Sequence, residues 1–274
     1  MRFVQVQWLV LVVSLFSLTK LIFPALGAGT PGLDLSSYDL ELAYEADFFR
    51  PLRMIREDDL MAGDDRVAMP SGDVDWVFEG PGSAWTQNGG LHVTNFIPGQ
   101  SEEQKAGHVV IWNTRKFPGN FLLEFDFYPK NSNKGLAIIF FSATGRAGES
   151  IFDLNQPRRG GIFRRYIRGG LDNYHVSYWA VNETPRMTTH LRKNHGFDLV
   201  AVGKDNIWGH GPGPHRVRLL KIAGTIQLEV RGEVVLNWAD KGEFLRDGHI
   251  GLRTMSRTGE VTYSNFKIWK VIPN

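Results

Sequence analysis

The segment Phe121-Leu122-Leu123-Glu124-Phe125-Asp126-Phe127-Tyr128 alternates between apolar and mostly polar side chains. Successive side chains of a β-strand point to opposite faces of the sheet, so its first, third, fifth and seventh residues share one apolar face. A strand with one apolar face and one polar face is typical of antiparallel sheets. The segment therefore predicts an all-β fold.

Strand patterns continue on both sides of this segment. His108–Trp112 precedes it, and Leu136–Phe141 follows it with apolar side chains on both faces, which predicts a central strand. The last third of the chain, from His215 to Val271, reads as short strands separated by turns that contain glycine. Short strands at regular spacing predict a two-sheet antiparallel β-sandwich or jelly roll.

The N-terminus has the pattern of an export signal. Arg2 is followed by the apolar run Trp8–Leu18, and small residues precede Ala28. Residues 1–28 are therefore predicted to be a signal peptide, and the protein to be secreted or periplasmic. An uncleaved N-terminal anchor is the alternative interpretation.

The rest of the chain divides into an arm and one domain. Residues 29–70 are the least β-like part, with loosely helical patterns over 38–49 and 52–61. They predict an N-terminal strand or arm with one or two short helices. Residues 71–274 form the predicted β-sandwich domain, a length that such domains commonly reach without splitting.

Composition excludes several classes of function. The chain has no cysteine, so it has neither disulfides nor thiolate metal ligands nor a cysteine nucleophile. Its formal net charge is only +2, and the basic residues are spread along the chain, which argues against a nucleic-acid partner. Beyond the export signal, no segment predicts contact with a membrane.

The stretch Leu171–Phe197 holds the densest mixture of aromatic, imidazole, amide and cationic side chains. As a strand, it would place one set of residues on the core face, namely Tyr174, Val176, Tyr178 and Ala180. The opposite face would carry Asn173, His175, Ser177 and Trp179. Because polar groups need hydrogen-bond partners when buried, we expect this second face to line a sugar-binding groove. A partly exposed strand without a ligand is the plainer alternative.

Two family resemblances accompany these patterns. The closing strands, with Ile226–Val230 and Gly248–Arg253, resemble those of concanavalin A-like lectin and glucanase domains. The order of Phe121–Phe125, Tyr174–Tyr178, Arg192–Asn194 and Ile250–Arg253 resembles the bacterial YesU-like family of unknown function. The first resemblance implies a concanavalin A-like jelly roll. The second implies a carbohydrate context but no particular reaction, because this fold serves lectins and enzymes alike.

A polysaccharide lyase that cleaves by β-elimination at a uronate is one predicted activity. It needs a base, an acid for the leaving oxygen and a group that neutralises the carboxylate. We assign His175 as the base and Tyr174, or Tyr166, as the acid or base. Asn173 with Lys193, Arg192 or Arg253 would neutralise the carboxylate.

The remaining candidates are substrate-binding residues. Aromatic rings pack on sugar rings, and basic side chains pair with carboxylates of an acidic polysaccharide or oligosaccharide. These candidates are Trp179, Ser177, Arg192, Asn194, His190, Arg253 and Arg164.

Two other functions remain open from the sequence. Glu124 and Asp126 begin the Glu-x-Asp-x-Glu pattern of a retaining glycoside hydrolase, but Tyr128 stands at its third position. A non-catalytic carbohydrate-binding protein is the second alternative. We predict no cofactor and no metal centre, although sandwiches of this kind also hold structural calcium, for which the sequence gives no position.

Overall fold

A computed structural model describes residues 32–70, 74–95, 107–181, 185–255 and 258–274. The predicted signal peptide lies outside these residues. In chain order the first strands are β1 (Tyr38–Glu45), β2 (Met54–Arg56), β3 (Met61–Ala62), β4 (Asp65–Arg66), β5 (Trp76–Glu79), β6 (Ser83–Gln87), β7 (Gly90–Thr94), β8 (Val109–Asn113) and β9 (Phe121–Pro129). Then follow β10 (Gly135–Gly145), helix α1 (Phe163–Ile167), β11 (Leu171–Val181), β12 (Thr188–Asn194), β13 (Asp198–Lys204), β14 (His215–Ile222), β15 (Thr225–Val230), β16 (Glu233–Ala239), β17 (His249–Thr254) and β18 (Glu260–Pro273).

Two large sheets face each other. The first sheet has the order β16-β15-β14-β9-β18-β7-β6, with β1 paired to the second half of β18. The second sheet has the order β13-β12-β11-β10-β17-β8-β5-β2. All these pairings are antiparallel except that of β2 with β5. The predicted two-sheet antiparallel sandwich is confirmed.

The core between the sheets follows from the alternation in β9. Phe121, Leu123, Phe125 and Phe127 are all buried there, as predicted. Tyr178 of the second sheet packs edge-on against Phe127, with ring centroids 5.3 Å apart. Burial of such large aromatic side chains holds the sheets together without disulfides.

Of the two helical patterns in the N-terminal arm, the one over 38–49 is wrong, whereas the range 52–61 contains a short 3₁₀ helix. Residues 38–45 form strand β1, and residues 52–61 form β2 and a single 3₁₀ turn at Glu57–Leu60. Pairing with β18, interrupted by a bulge between Leu42 and Tyr44, favours the extended state over a weak helical pattern. The arm thus contributes a strand to each sheet.

The second sheet carries an additional layer on its outer face. Residues 146–170, which we call the covering segment, contain α1 and bury Ile151, Tyr166 and Ile167 against this sheet. Tyr166 lies 5.5 Å from Phe140 of β10, with the rings stacked. The outer face of the second sheet is therefore partly covered by the covering segment.

Buried ion pairs attach the covering segment. Arg159, 1% exposed, donates to the fully buried Glu79 of β5, which also accepts a 2.6 Å hydrogen bond from the Tyr166 hydroxyl. Glu57 accepts from the Arg159 amide at 2.8 Å and from the Arg66 guanidinium at 2.8 Å. Arg159 thus has a structural role in this segment, because it neutralises a buried carboxylate.

We predict that Arg159→Met lowers the free energy of unfolding by about 3–5 kcal/mol, because it leaves the Glu79 carboxylate buried without its cation. Denaturant titration of the variant and of the unmodified protein measures this loss. Arg158→Met is the matched control, since Arg158 pairs with Asp58 at the surface and such pairs contribute about 0–1 kcal/mol. Equal effects of the two substitutions would contradict the structural role of the buried pair.

Candidate functional site

Three of the predicted groove residues share the outer face of the second sheet. Asn173, His175 and Ser177 of β11 are 0%, 2% and 5% exposed. The rings of Phe163 from α1 and of Phe197, before β13, each lie 5.8 Å from the imidazole of His175. The predicted face is therefore present, but His175 is buried beneath these rings, and the expected open groove over it is wrong.

The prediction that Trp179 lines this groove is also wrong. Ala137 pairs with Trp179 and Ile138 with Ser177, so Tyr178 is an extra residue in β11. A β-bulge of this kind interrupts the alternation of side chains. Trp179 consequently joins Tyr178 in the core between the sheets and is fully buried.

Arg253 of β17 is the most unusual side chain on this face. It is 0% exposed, and its Nε, Nη1 and Nη2 atoms have no hydrogen-bond partner in the described part of the chain. Its Cζ atom lies 4.4 Å from the ring centroid of Phe163. Burial lowers the pKa of Arg253 to about 10. A guanidinium also carries five N–H donors, which have no acceptor when the group is buried without a partner.

Other basic side chains surround His175. Arg192 donates to the Phe197 carbonyl at 2.9 Å and stacks on the Phe197 ring at 3.9 Å. Arg186 donates to the Ser177 hydroxyl at 2.9 Å. His190 lies opposite Ser177 and bonds Thr188 at 3.1 Å. We call Arg186, Arg192, Arg253, His175 and His190 the cationic cluster, since its three arginines carry the positive charge.

No carboxylate of the described residues forms an ion pair with the guanidinium groups of this cluster. Asp205, whose charge acts on Arg186, instead accepts the backbone N–H groups of Ile207 at 2.8 Å and Trp208 at 3.0 Å. Burial and then the neighbouring arginines lower the pKa of His175 to about 3. The same causes lower the pKa of His190 to about 4, so both imidazoles are neutral at pH 7.

Two predicted catalytic residues lie on the opposite face. The Tyr174 hydroxyl donates to Asp240 at 2.6 Å, and the Lys193 ammonium donates to the same carboxylate at 2.7 Å. These contacts anchor the loop after β16, where the Leu245 amide donates to the Tyr174 oxygen. Tyr174 and Lys193 therefore do not meet His175, and the predicted catalytic set is divided by the sheet.

The other candidates have ordinary structural contacts. Arg164 lies on the exposed side of α1. The Tyr166 hydroxyl is engaged by Glu79. Glu124 and Asp126 face outward from the first sheet and both pair with Arg216, at 3.0 and 3.3 Å. The hydrolase pattern is thus a paired acidic surface.

The described residues bring no group of three or more His, Asp or Glu side chains together as metal ligands. None of the helices described is long and apolar enough to cross a membrane.

Sequence reasoning missed Arg186, Phe163 and Phe197. No spacing rule links Arg186 to Ser177, nine residues earlier, because the connection depends on the turn between β11 and β12. The two phenylalanines are separated from each other in sequence and meet over the sheet with ring centroids 5.7 Å apart.

Comparison with known proteins identifies the family. Residues 64–268 match the family described as "Domain of unknown function (DUF1961)". The chain belongs to this family. It is 31% identical over 207 residues to the uncharacterized protein YesU of Bacillus subtilis (strain 168). The aligned region covers 72% of this chain and 90% of YesU. The YesU-like resemblance is confirmed.

Solved structures extend the comparison to the fold. A protein of unknown function with a galectin-like fold from Bacillus subtilis has a TM-score of 0.69 at 26% identity, covering 86% of this chain and 100% of that one. An endo-β-1,3-glucanase from Pyrococcus furiosus has a TM-score of 0.55 at 8% identity, covering 90% and 100%. At that identity the likeness shows the shared fold alone.

We predict that Arg253→Met leaves the stability of the free protein unchanged or raises it by about 1–4 kcal/mol. Removing a buried charge that lacks a partner relieves its desolvation penalty, whereas a methionine fills a similar volume. Denaturant titration measures the change. A loss of stability as large as that of Arg159→Met would contradict the structure, because it would show that the Arg253 guanidinium has hydrogen-bond partners in the free protein.

Proposed function

We propose that the protein binds an acidic saccharide at the cationic cluster, with the carboxylate of the sugar on the Arg253 guanidinium. The single observation that carries this proposal is the buried guanidinium without a hydrogen-bond partner in the described residues. A planar guanidinium matches a carboxylate in two parallel hydrogen bonds.

The energetics favour a ligand over a structural role. A buried charge destabilises a protein unless it is paired. Arg159, on the same side of the second sheet, has its carboxylate partner, whereas Arg253 does not. An anionic ligand supplies the missing partner, and its binding recovers free energy that the free protein lacks.

The side chains around the guanidinium suit a sugar. Ser177 and His190 offer hydrogen bonds to hydroxyl groups, and the Phe163 and Phe197 rings provide apolar surfaces on which sugar rings pack. The fold adds support, because the glucanase that shares it is named for a carbohydrate substrate. A small inorganic anion would use the charges but not the aromatic surfaces.

The cluster opens toward β12. Arg186, Arg192 and His190 are partly exposed, whereas Arg253 and His175 are buried. A ligand therefore meets Arg186 and Arg192 first, and its carboxylate reaches Arg253 when the Phe163 ring moves away from the guanidinium. These two partly exposed guanidinium groups also attract an anionic ligand before it is bound.

Eliminative cleavage of a uronate is the second candidate function. A guanidinium that neutralises the carboxylate makes the neighbouring carbon-bound proton easier to remove. His190 is partly exposed and neutral at pH 7, so it is the base that the open side of the cluster offers.

We further propose action outside the cytoplasm, supported by the apolar segment before Ala28. N-terminal sequencing of protein recovered outside the cells tests this location.

We predict that uronate oligosaccharides bind and that the same oligosaccharides with carboxyl groups reduced to alcohols bind at least about thirtyfold more weakly. Arg253→Met should lose at least about thirtyfold in affinity for the acidic form, the effect of truncating one partner of a buried charge pair. Calorimetric titration measures both comparisons, with Arg158→Met as the control.

Equal affinity for the acidic and the carboxyl-reduced ligands would contradict the proposal. Following ultraviolet absorbance during the same incubations decides the second candidate. New absorbance from unsaturated ends, lost in His190→Ala, would establish elimination. Saturable binding without absorbance or new reducing ends would establish a binding protein.

A further inference from the structure

A chain of amide hydrogen bonds runs beneath the cationic cluster. The Asn173 Nδ2 group donates to the Tyr166 carbonyl at 2.8 Å. The Asn194 Nδ2 group lies 2.7 Å from the Asn173 Oδ1 atom and 2.8 Å from the His175 Nδ1 atom. Asn173, Asn194 and His175 are each at most 2% exposed, so water does not compete with these bonds.

The direction of every bond in this chain follows from its first member. A backbone carbonyl only accepts, so Asn173 must present its NH₂ group to Tyr166 and its oxygen to Asn194. Asn194 must then present its NH₂ group to Asn173, and the second hydrogen of that group points to His175. The Nδ1 atom of His175 is therefore an acceptor.

This direction determines the tautomer of the imidazole. A neutral histidine carries one proton, so an Nδ1 acceptor leaves the proton on Nε2. Protonation of Nδ1 would bring its hydrogen against the Asn194 NH₂ group. The ring is also held in place, stacked on Phe197 at an interplanar angle of 26° and edge-on to Phe163 at 73°.

We propose that Asn194 is a positioning residue that fixes His175 as an Nε2–H hydrogen-bond donor, so that His175 receives an acceptor oxygen of the acidic sugar and does not act as a base. The role of His175 toward the ligand rests on the proposed function, whereas the assignment of its tautomer does not. The sequence-based assignment of His175 as the catalytic base is replaced by this role.

The inference also narrows the class of ligand. The group at Nε2 must accept a hydrogen bond, as a carboxylate, a ring oxygen or a glycosidic oxygen does. An ammonium group, as in an amino sugar, would lie against the Nε2–H donor of His175 and would be repelled by the arginines of the cluster. We therefore expect acidic sugars without free amino groups to be preferred.

The test is nitrogen-15 NMR of the imidazole groups, with the His175 signals identified by their loss in His175→Gln. We expect a His175 Nδ1 signal without a bound proton and an Nε2 signal with one, unchanged from neutral pH to about pH 5. A proton on Nδ1, or a mixture of tautomers, in the unmodified protein overturns the inference whatever the ligand.

Asn194→Asp tests the role of the amide. A carboxylate at this position accepts from Nδ1, so the proton should move from Nε2 to Nδ1 or His175 should become doubly protonated, and uronate affinity should fall about tenfold or more. The control Asn131→Asp makes the same change in an exposed turn, where the side-chain oxygen accepts the Asn133 amide in either form.

The outcomes separate the two proposals. If NMR shows the expected tautomer but the protein binds no uronate, the proposed function is overturned and the tautomer assignment remains in place. Uronate binding that is unaffected by Asn194→Asp, while the NMR signals change, overturns the role of His175 as a ligand donor.

Discussion

The buried pair between Arg159 and Glu79 holds the covering segment on the second sheet. Glu79 lies in β5 and Arg159 lies 80 residues later, so their contact joins distant parts of the chain inside the protein. The Tyr166 hydroxyl bonds the same carboxylate, which places α1 on the outer face. The positions of Phe163 over Arg253 and of the Tyr166 carbonyl over Asn173 both depend on this pair.

Arg159 of the covering segment and Arg253 of β17 are both buried on the outer side of the second sheet, but their surroundings differ. Arg159 is neutralised, and Arg253 is covered by an aromatic ring that supplies only a weak attraction. A protein that needed only stability would replace the second arginine with an apolar residue of similar size. The unpaired guanidinium is therefore a cost to folding that the proposed ligand would offset, and functional sites commonly combine such local instability with activity.

Local patterns predicted most of the fold but only part of the site. The regular spacing of short strands and turns was sufficient to predict two sheets. The alternation in the first half of β11 was sufficient to predict the shared face of Asn173, His175 and Ser177, because the period of two is a local property. One extra residue at Tyr178 moved Trp179 into the core, and no residue type signals a bulge there. The arm was misjudged because its strand depends on the distant β18.

Strand geometry also explains why the predicted catalytic residues lie on two different faces of the sheet. Tyr174 and Lys193 lie directly opposite each other in β11 and β12, and so do His175 and Arg192, on the other face. Closeness in sequence suggested one site, whereas adjacent residues of a strand point apart. The partners that define the site, Arg253 and Phe163, come from strands and a helix that only the folded chain brings together.

The most direct test of the central claim is a crystal structure of the protein with a bound uronate oligosaccharide. The account predicts a sugar carboxylate within about 3 Å of the Arg253 Nη atoms, with the Phe163 ring displaced from the guanidinium. A saccharide bound elsewhere on the protein, with Phe163 still packed on Arg253, would contradict it.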